Sequence, residues 1–180
     1  GIDGVRDYVN GRREGLERAF PVEPGYLYDP YCLAEVGSLE TDFETTWGSN
    51  ATSENWYTEG TMTMDVNWYG DPIEADGGAV AGEDDGYSFV GMLGLINEAD
   101  QSYFLPYTVF NTSRLIEGET MDYDDYTLGG YLFYTERNSG FEQIGYMGGG
   151  TIEFDSLDLS QGGAIQGTIS TYIYNWEEVD

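Results

Sequence analysis

The pattern of hydrophobic and polar positions changes its period once along the chain. Over residues 3–20 (DGVRDYVNGRREGLERAF), Val5, Tyr8, Val9, Leu16, Ala19 and Phe20 recur at helical spacing, which predicts an amphipathic helix. Asp3 stands where a cap is needed, and Pro21 and Pro24 end the segment. Gly11 and Gly15 each weaken it by about 1 kcal/mol relative to alanine. Residues 21–36 (PVEPGYLYDPYCLAEV) read as a proline-punctuated connector, with Tyr26, Tyr28 and Tyr31 packing it along a domain surface.

From residue 37 the period becomes two. In Thr61–Tyr69, Met62, Met64, Val66 and Trp68 face one side, while Thr61, Thr63, Asp65 and Asn67 face the other. Further strands are predicted at 38–47, 87–96, 102–110, 131–136, 141–147, 150–159 and 165–176. Gly- and Asp-rich turns are predicted between them, at 70–86, 97–101, 117–130, 137–140 and 160–164. The last two strands, joined by Ser160–Gly163, read as a β-hairpin. Eight short strands at this spacing predict an all-β fold, an antiparallel β-sandwich or jelly roll over residues 37–180, preceded by the short N-terminal helix of 1–20 and the connector of 21–36.

Composition adds charge to this picture. Of 180 residues, 34 are acidic and 6 are basic, all six arginine, for a net charge of −28. Arg6, Arg12, Arg13 and Arg18 balance Asp3, Asp7, Glu14 and Glu17 in the opening segment, so only Arg114 and Arg137 offset the remaining carboxylates. Such a surface repels nucleic acid and anionic membranes and attracts Ca²⁺, monovalent cations or a basic protein partner. It also suits a halophilic protein kept soluble in salt. An aromatic content of 16% separates the chain from a disordered acidic tail. Cys32 is the single cysteine, so no intrachain disulfide forms. No apolar run approaches the roughly 18 residues of a membrane span. The chain opens at Gly1 rather than Met, so it reads as processed or excised from something longer, in which an export signal would not be visible; an extracellular or cell-surface location is expected.

The same composition narrows the chemistry. Without histidine there is no Ser-His-Asp or Cys-His arrangement, and without lysine no Schiff base or P-loop. Carboxylate chemistry and oxygen-ligated metals remain. Glu40, Asp42 and Glu44 share one face of a strand, either as a glycosidase pair or as a solvated face. Asp71, Glu74, Asp76, Glu83, Asp84 and Asp85 form one acidic loop and Asp122, Asp124 and Asp125 another, each a Ca²⁺ candidate or plain hydrated charge. Trp47 and Trp56 are candidates for a sugar-stacking platform or for core packing. Asn50-Ala51-Thr52 and Asn111-Thr112-Ser113 are glycan-acceptor sequons.

Three resemblances accompany these residues. Tyr8, Val9, Arg12, Arg13 and Leu16 resemble the closing helix of CotH-type spore-coat kinase domains, which implies a β domain following another domain in an exported protein. The ending GGGTIEFDSLDLSQGGAIQGTISTYIY resembles the last hairpin of secreted bacterial β-sandwich domains of unknown function, which implies a surface location. The spacing Glu40-x-Asp42-x-Glu44 resembles the signature of jelly-roll glucanases, in which Glu40 would be the nucleophile and Glu44 the acid/base. The function expected overall is a non-catalytic extracellular domain for adhesion, display or assembly. A carbohydrate-binding or glycoside-cleaving jelly roll and a self-assembling filament or surface-layer subunit are the alternatives.

Overall fold

The computed structural model describes residues 31–48, 60–84, 86–137 and 139–178. The helix expected at 3–20, most of the connector, Trp56 and the Asn50 sequon lie outside the described residues. Nine strands follow in order: β1 (Tyr31–Thr46), β2 (Thr61–Trp68), β3 (Asp71–Asp84), β4 (Tyr87–Asn97), β5 (Ser102–Phe110), β6 (Thr120–Asp122), β7 (Thr127–Thr135), β8 (Glu142–Leu157) and β9 (Ala164–Glu178). Each barrel strand pairs with its neighbours in the order β8-β7-β5-β4-β3-β2-β1-β9, and β9 returns to β8. The sheet therefore closes on itself as an eight-stranded up-and-down antiparallel barrel, within a compact unit spanning Glu35–Asn175. This overturns the sandwich or jelly roll expected from the sequence. The pairing of first and last strands, which no local pattern encodes, makes the difference, and among the described residues it gives each of the eight barrel strands a partner on both sides.

Other boundaries move for physical reasons. The turn expected at 70–86 is the strand β3. Its Gly78–Gly82 stretch is buried on both faces. The separate strands expected at 141–147 and 150–159 are one 16-residue strand, β8, whose register shifts between Gly148 and Thr151. The turn expected at 117–130 holds β6, a single helical turn α1 (Tyr123–Tyr126) and the start of β7.

The barrel interior is filled by side chains, as eight strands allow. Leu39 and Phe43 of β1, Met62, Met64 and Val66 of β2, and Ile165, Ile169 and Ile173 of β9 all point inward and are buried. The inward face expected for β2 is thus correct, except that Trp68 is only partly buried at its end. All five methionines of the chain belong to this core: Met62, Met64, Met92, Met121 and Met147. Unbranched thioethers fill irregular gaps between β-branched neighbours. Glycines make room where large groups cross. A Cβ at Gly94 would meet Met64 Cε at 2.7 Å, and one at Gly130 would overlap the Tyr123 hydroxyl.

The connection from β5 to β7 is wedged into the wall. β7 pairs with only the first part of β8, through Met147, and β6 takes over as partner at Thr151–Glu153. In between sits α1, capped by Asp122, whose carboxylate accepts from Asp125 N at 3.0 Å. Arg114 donates to the Asp125 carbonyl at 2.5 Å and lies over the Tyr126 ring, 4.9 Å from its centroid. A smaller apolar cluster, Val80, Phe89, Leu93 and Leu105, occupies the opposite face of β3–β5 from the interior. Here Phe89 and Tyr107 stack with rings 7° from parallel.

Candidate functional site

With the interior packed, the chemistry of the barrel faces outward, and it concentrates on β8, β9, β1, β2 and β3. On β1 the odd positions Leu39, Thr41, Phe43 and Thr45 are buried, so Glu40, Asp42 and Glu44 project from the outer side. β2 alternates in the same way and exposes Thr61, Thr63, Asp65 and Asn67. β9 contributes Gln166, Thr168, Ser170 and Tyr172.

Strand register arranges these side chains in rows. Glu40 stands opposite Asp65 on β2, and Asp65 opposite Glu74 on β3, so three carboxylates cross three strands in line. The next row, Asp42–Thr63–Asp76, alternates acid and hydroxyl. Asp42 is additionally tied to the far side, where Thr168 Oγ1 donates to its Oδ1 at 2.6 Å. Cross-strand partners lie about 4.5–5.5 Å apart at Cβ, so the first row is repulsive in low salt.

Two grooves run through this face. One, of about 390 Å³, is lined by Asp42, Glu44, Thr63, Asp155, Gln166 and Thr168 among others. The second, of about 570 Å³, is lined by Ser38, Glu40, Asp65, Asn67, Ser170 and Tyr172 among others. Tyr172 is 45% exposed and is the exposed aromatic among the residues of either groove.

Both glutamates of the expected glycosidase pair stand exposed on the outer side of β1. Four residue steps of about 3.3 Å put the Glu40 and Glu44 backbones about 13 Å apart on β1, a span that two long glutamate side chains can narrow or widen. A retaining pair needs about 5–5.5 Å and an inverting pair about 6.5–9.5 Å.

The acidic loops expected to hold Ca²⁺ take other places. Asp71 and Asp76 lie on β3, with Asp84 at its far end, so about 40 Å of strand separates Asp71 from Asp84. Asp85 lies outside the described residues. Asp122 caps α1, and Asp124 Oδ1 accepts from Gly149 N at 2.9 Å, so these two carboxylates hold backbone. Asp125 follows on α1 and gives its N–H to that cap. Among the described residues, no group of three or more Asp, Glu or Cys side chains is gathered to hold a metal ion.

Trp47 is 7% exposed and belongs to the main core cluster. Its N–H donates to Gly163 O at 2.8 Å and its carbonyl accepts from Gly162 N at 2.9 Å, which locks the β8–β9 turn over it. It is core, not a stacking platform. Asn111 is exposed, with its Oδ1 accepting from Ser113 N at 3.1 Å. Cys32 is exposed and unpaired.

Alternation places Asp65 on the polar face of its strand, whereas only register sets it opposite Glu40. Tyr172, Asp155 and Thr168 are not among the site residues expected from the sequence. The available signal was the alternation of Gln166, Thr168, Ser170 and Tyr172 with buried Ile165, Ile169 and Ile173.

Fold and surface together define a closed, side-chain-filled up-and-down barrel with an acidic, hydroxyl-rich outer face. No family model, curated protein or solved structure matches this chain. No helix among the described residues is long and apolar enough to cross a membrane.

Proposed function

We propose that the chain is a non-catalytic extracellular or cell-surface barrel for adhesion or display, working where salt or Ca²⁺ is abundant. The row Glu40–Asp65–Glu74 carries this reading. Like charges directly opposite each other on neighbouring strands destabilise a sheet, and nothing in the fold requires acids at exposed positions. Such a row is tolerable where cations screen it or where a basic partner covers it. A net charge of −28 extends the same logic over the whole surface. The packed interior supports a role for the outer face. Among the described residues every strand of the barrel is paired on both sides and only the three-residue β6 has a free edge, so display as a discrete domain is favoured over a filament built by strand pairing.

Thermal unfolding in low salt, in NaCl and in CaCl₂ at matched ionic strength tests this. The melting temperature rises with NaCl, because the Debye length shrinks from about 8 Å near 0.15 M to about 3 Å at 1 M. A larger rise in Ca²⁺ than in NaCl would add a specific ion to the screening. An unchanged melting temperature in both salts would contradict the proposal.

A further inference from the structure

The larger groove differs from the rest of the acidic face in one respect: it has an aromatic wall. We propose that it binds a neutral glycan, a chain of uncharged pyranose units, with Tyr172 as the stacking platform. This rests on the reading of the outer face as a binding surface and names its ligand.

The platform is built, not incidental. β8 bulges beside Tyr172, with Gly149 at φ +67° and Gly150 at φ +74°. A Cβ at position 149 would stand 3.1 Å from Tyr172 Cδ2, and one at 150 would overlap the Ser170 carbonyl. Only glycines let the strand bend there and the ring lie against it. The bulge is pinned from both sides. Thr171 Oγ1 reaches the carbonyls of Gly148 and Gly149, each at 2.8 Å, and Asp124 holds the Gly149 N–H. Bulges of this kind re-aim side chains beside binding sites, and a platform fixed before binding lowers the ordering cost of a ligand.

The rest of the lining matches a sugar. Glu40 and Asp65 offer acceptors only, while Ser38, Ser170 and the Asn67 amide both donate and accept. Sugar hydroxyls do both, and the apolar C–H face of a pyranose covers an exposed ring. A volume of about 570 Å³ falls within the range of about 300–1,000 Å³ usual for small-ligand sites. The surrounding charge repels uronic and sulfated sugars, which leaves neutral ones. A cationic peptide is the weaker candidate. Charge alone would spread it over the whole face, including Asp42, Glu44 and Asp155 of the neighbouring groove, and would not select the ring.

The test is calorimetric titration of the full chain with neutral oligosaccharides and with an arginine-rich peptide, at about 0.15 M and about 1 M NaCl. The expected result is that at least one neutral oligosaccharide binds with an affinity that high salt leaves nearly unchanged. Tyr172→Ala should weaken it roughly tenfold, while Tyr172→Phe and Asp155→Asn retain it. Unchanged melting temperatures show that these surface variants fold. Absence of binding by every neutral oligosaccharide, or binding indifferent to Tyr172→Ala, would overturn the proposal. Peptide binding that collapses at high salt and ignores Tyr172, with no neutral oligosaccharide bound, would also overturn it, yet leave the acidic face as a cation-binding surface. Salt stabilisation without any glycan binding would separate the two in the same way.

Discussion

The Tyr123 hydroxyl lies 2.8 Å from Thr108 Oγ1 inside the barrel, a polar pair sealed in an apolar interior. Burial pushes the Tyr123 hydroxyl well above the usual range. At the barrel surface, the hydrogen bond with Glu136 pushes Tyr134 up to about 12. A raised folded-state value means that the stabilisation is complete below the unfolded value of about 10 and is lost as pH climbs through the folded ones. The barrel should therefore unfold in alkali above about pH 10, with tyrosinate absorbance rising together with the loss of structure. Tyr123→Phe, which cannot ionise, should shift that transition to higher pH. Tyrosinate formation that fully precedes unfolding would place Tyr123 in contact with solvent.

Removal of the partner gives a second expectation. Thr108→Val keeps the shape of the side chain but strands the Tyr123 hydroxyl without its hydrogen bond. The cost of a buried unsatisfied group is about 1–3 kcal/mol, readable as a lower denaturation midpoint with an unchanged slope.

Interior glycines should respond unequally to alanine. At Gly130 the new methyl overlaps the Tyr123 hydroxyl and crowds Met147 Cβ at 2.7 Å, both fixed by their surroundings. At Gly94 it meets the flexible end of Met64 at 2.7 Å, which can turn aside, and Ala75 Cβ at 3.0 Å. Gly130→Ala is expected to cost about 1–3 kcal/mol and Gly94→Ala less. Equal melting temperatures for the two variants would show that the wedge of α1 against β7 is not rigid.

Met64 is 2% exposed and faces inward between β1 and β3. Met64→Asp should cost several kcal/mol, because it buries an unpaired charge among thioethers and aliphatic groups. Met64→Leu, similar in volume, should cost less than about 1.5 kcal/mol. A calorimetric melt of both variants checks the pair.

Much of this architecture was legible in local pattern. The inward set Met62, Met64 and Val66 follows from strict alternation, and so does the outward set Glu40, Asp42 and Glu44. The hairpin around Ser160–Gly163 follows from turn chemistry. β3 was hidden because its glycines and alanines mimic a loop, although they serve a strand covered on both faces. The apolar stretch from Phe89 to Leu93 was readable as a strand, but its second buried face depends on β3 and β5. Closure was out of reach, since it requires β9 to meet both β1 and β8. The site was half legible for the same reason. Glu40, Asp65 and Glu74 each read as exposed acids, but only register aligns them, and only the fold sets Tyr172 in one groove with Glu40 and Asp65.

The most direct measurement concerns that row. Asp65 is its middle member, so Asp65→Asn removes both repulsive contacts while preserving size. In low salt the variant should be more stable than the parent by roughly 0.3–1 kcal/mol, and the gain should vanish at about 1 M NaCl as screening shortens to about 3 Å. A variant no more stable than the parent at low salt, or a gain that persists undiminished in high salt, would contradict the view that the outer face of this barrel is held in check by cations.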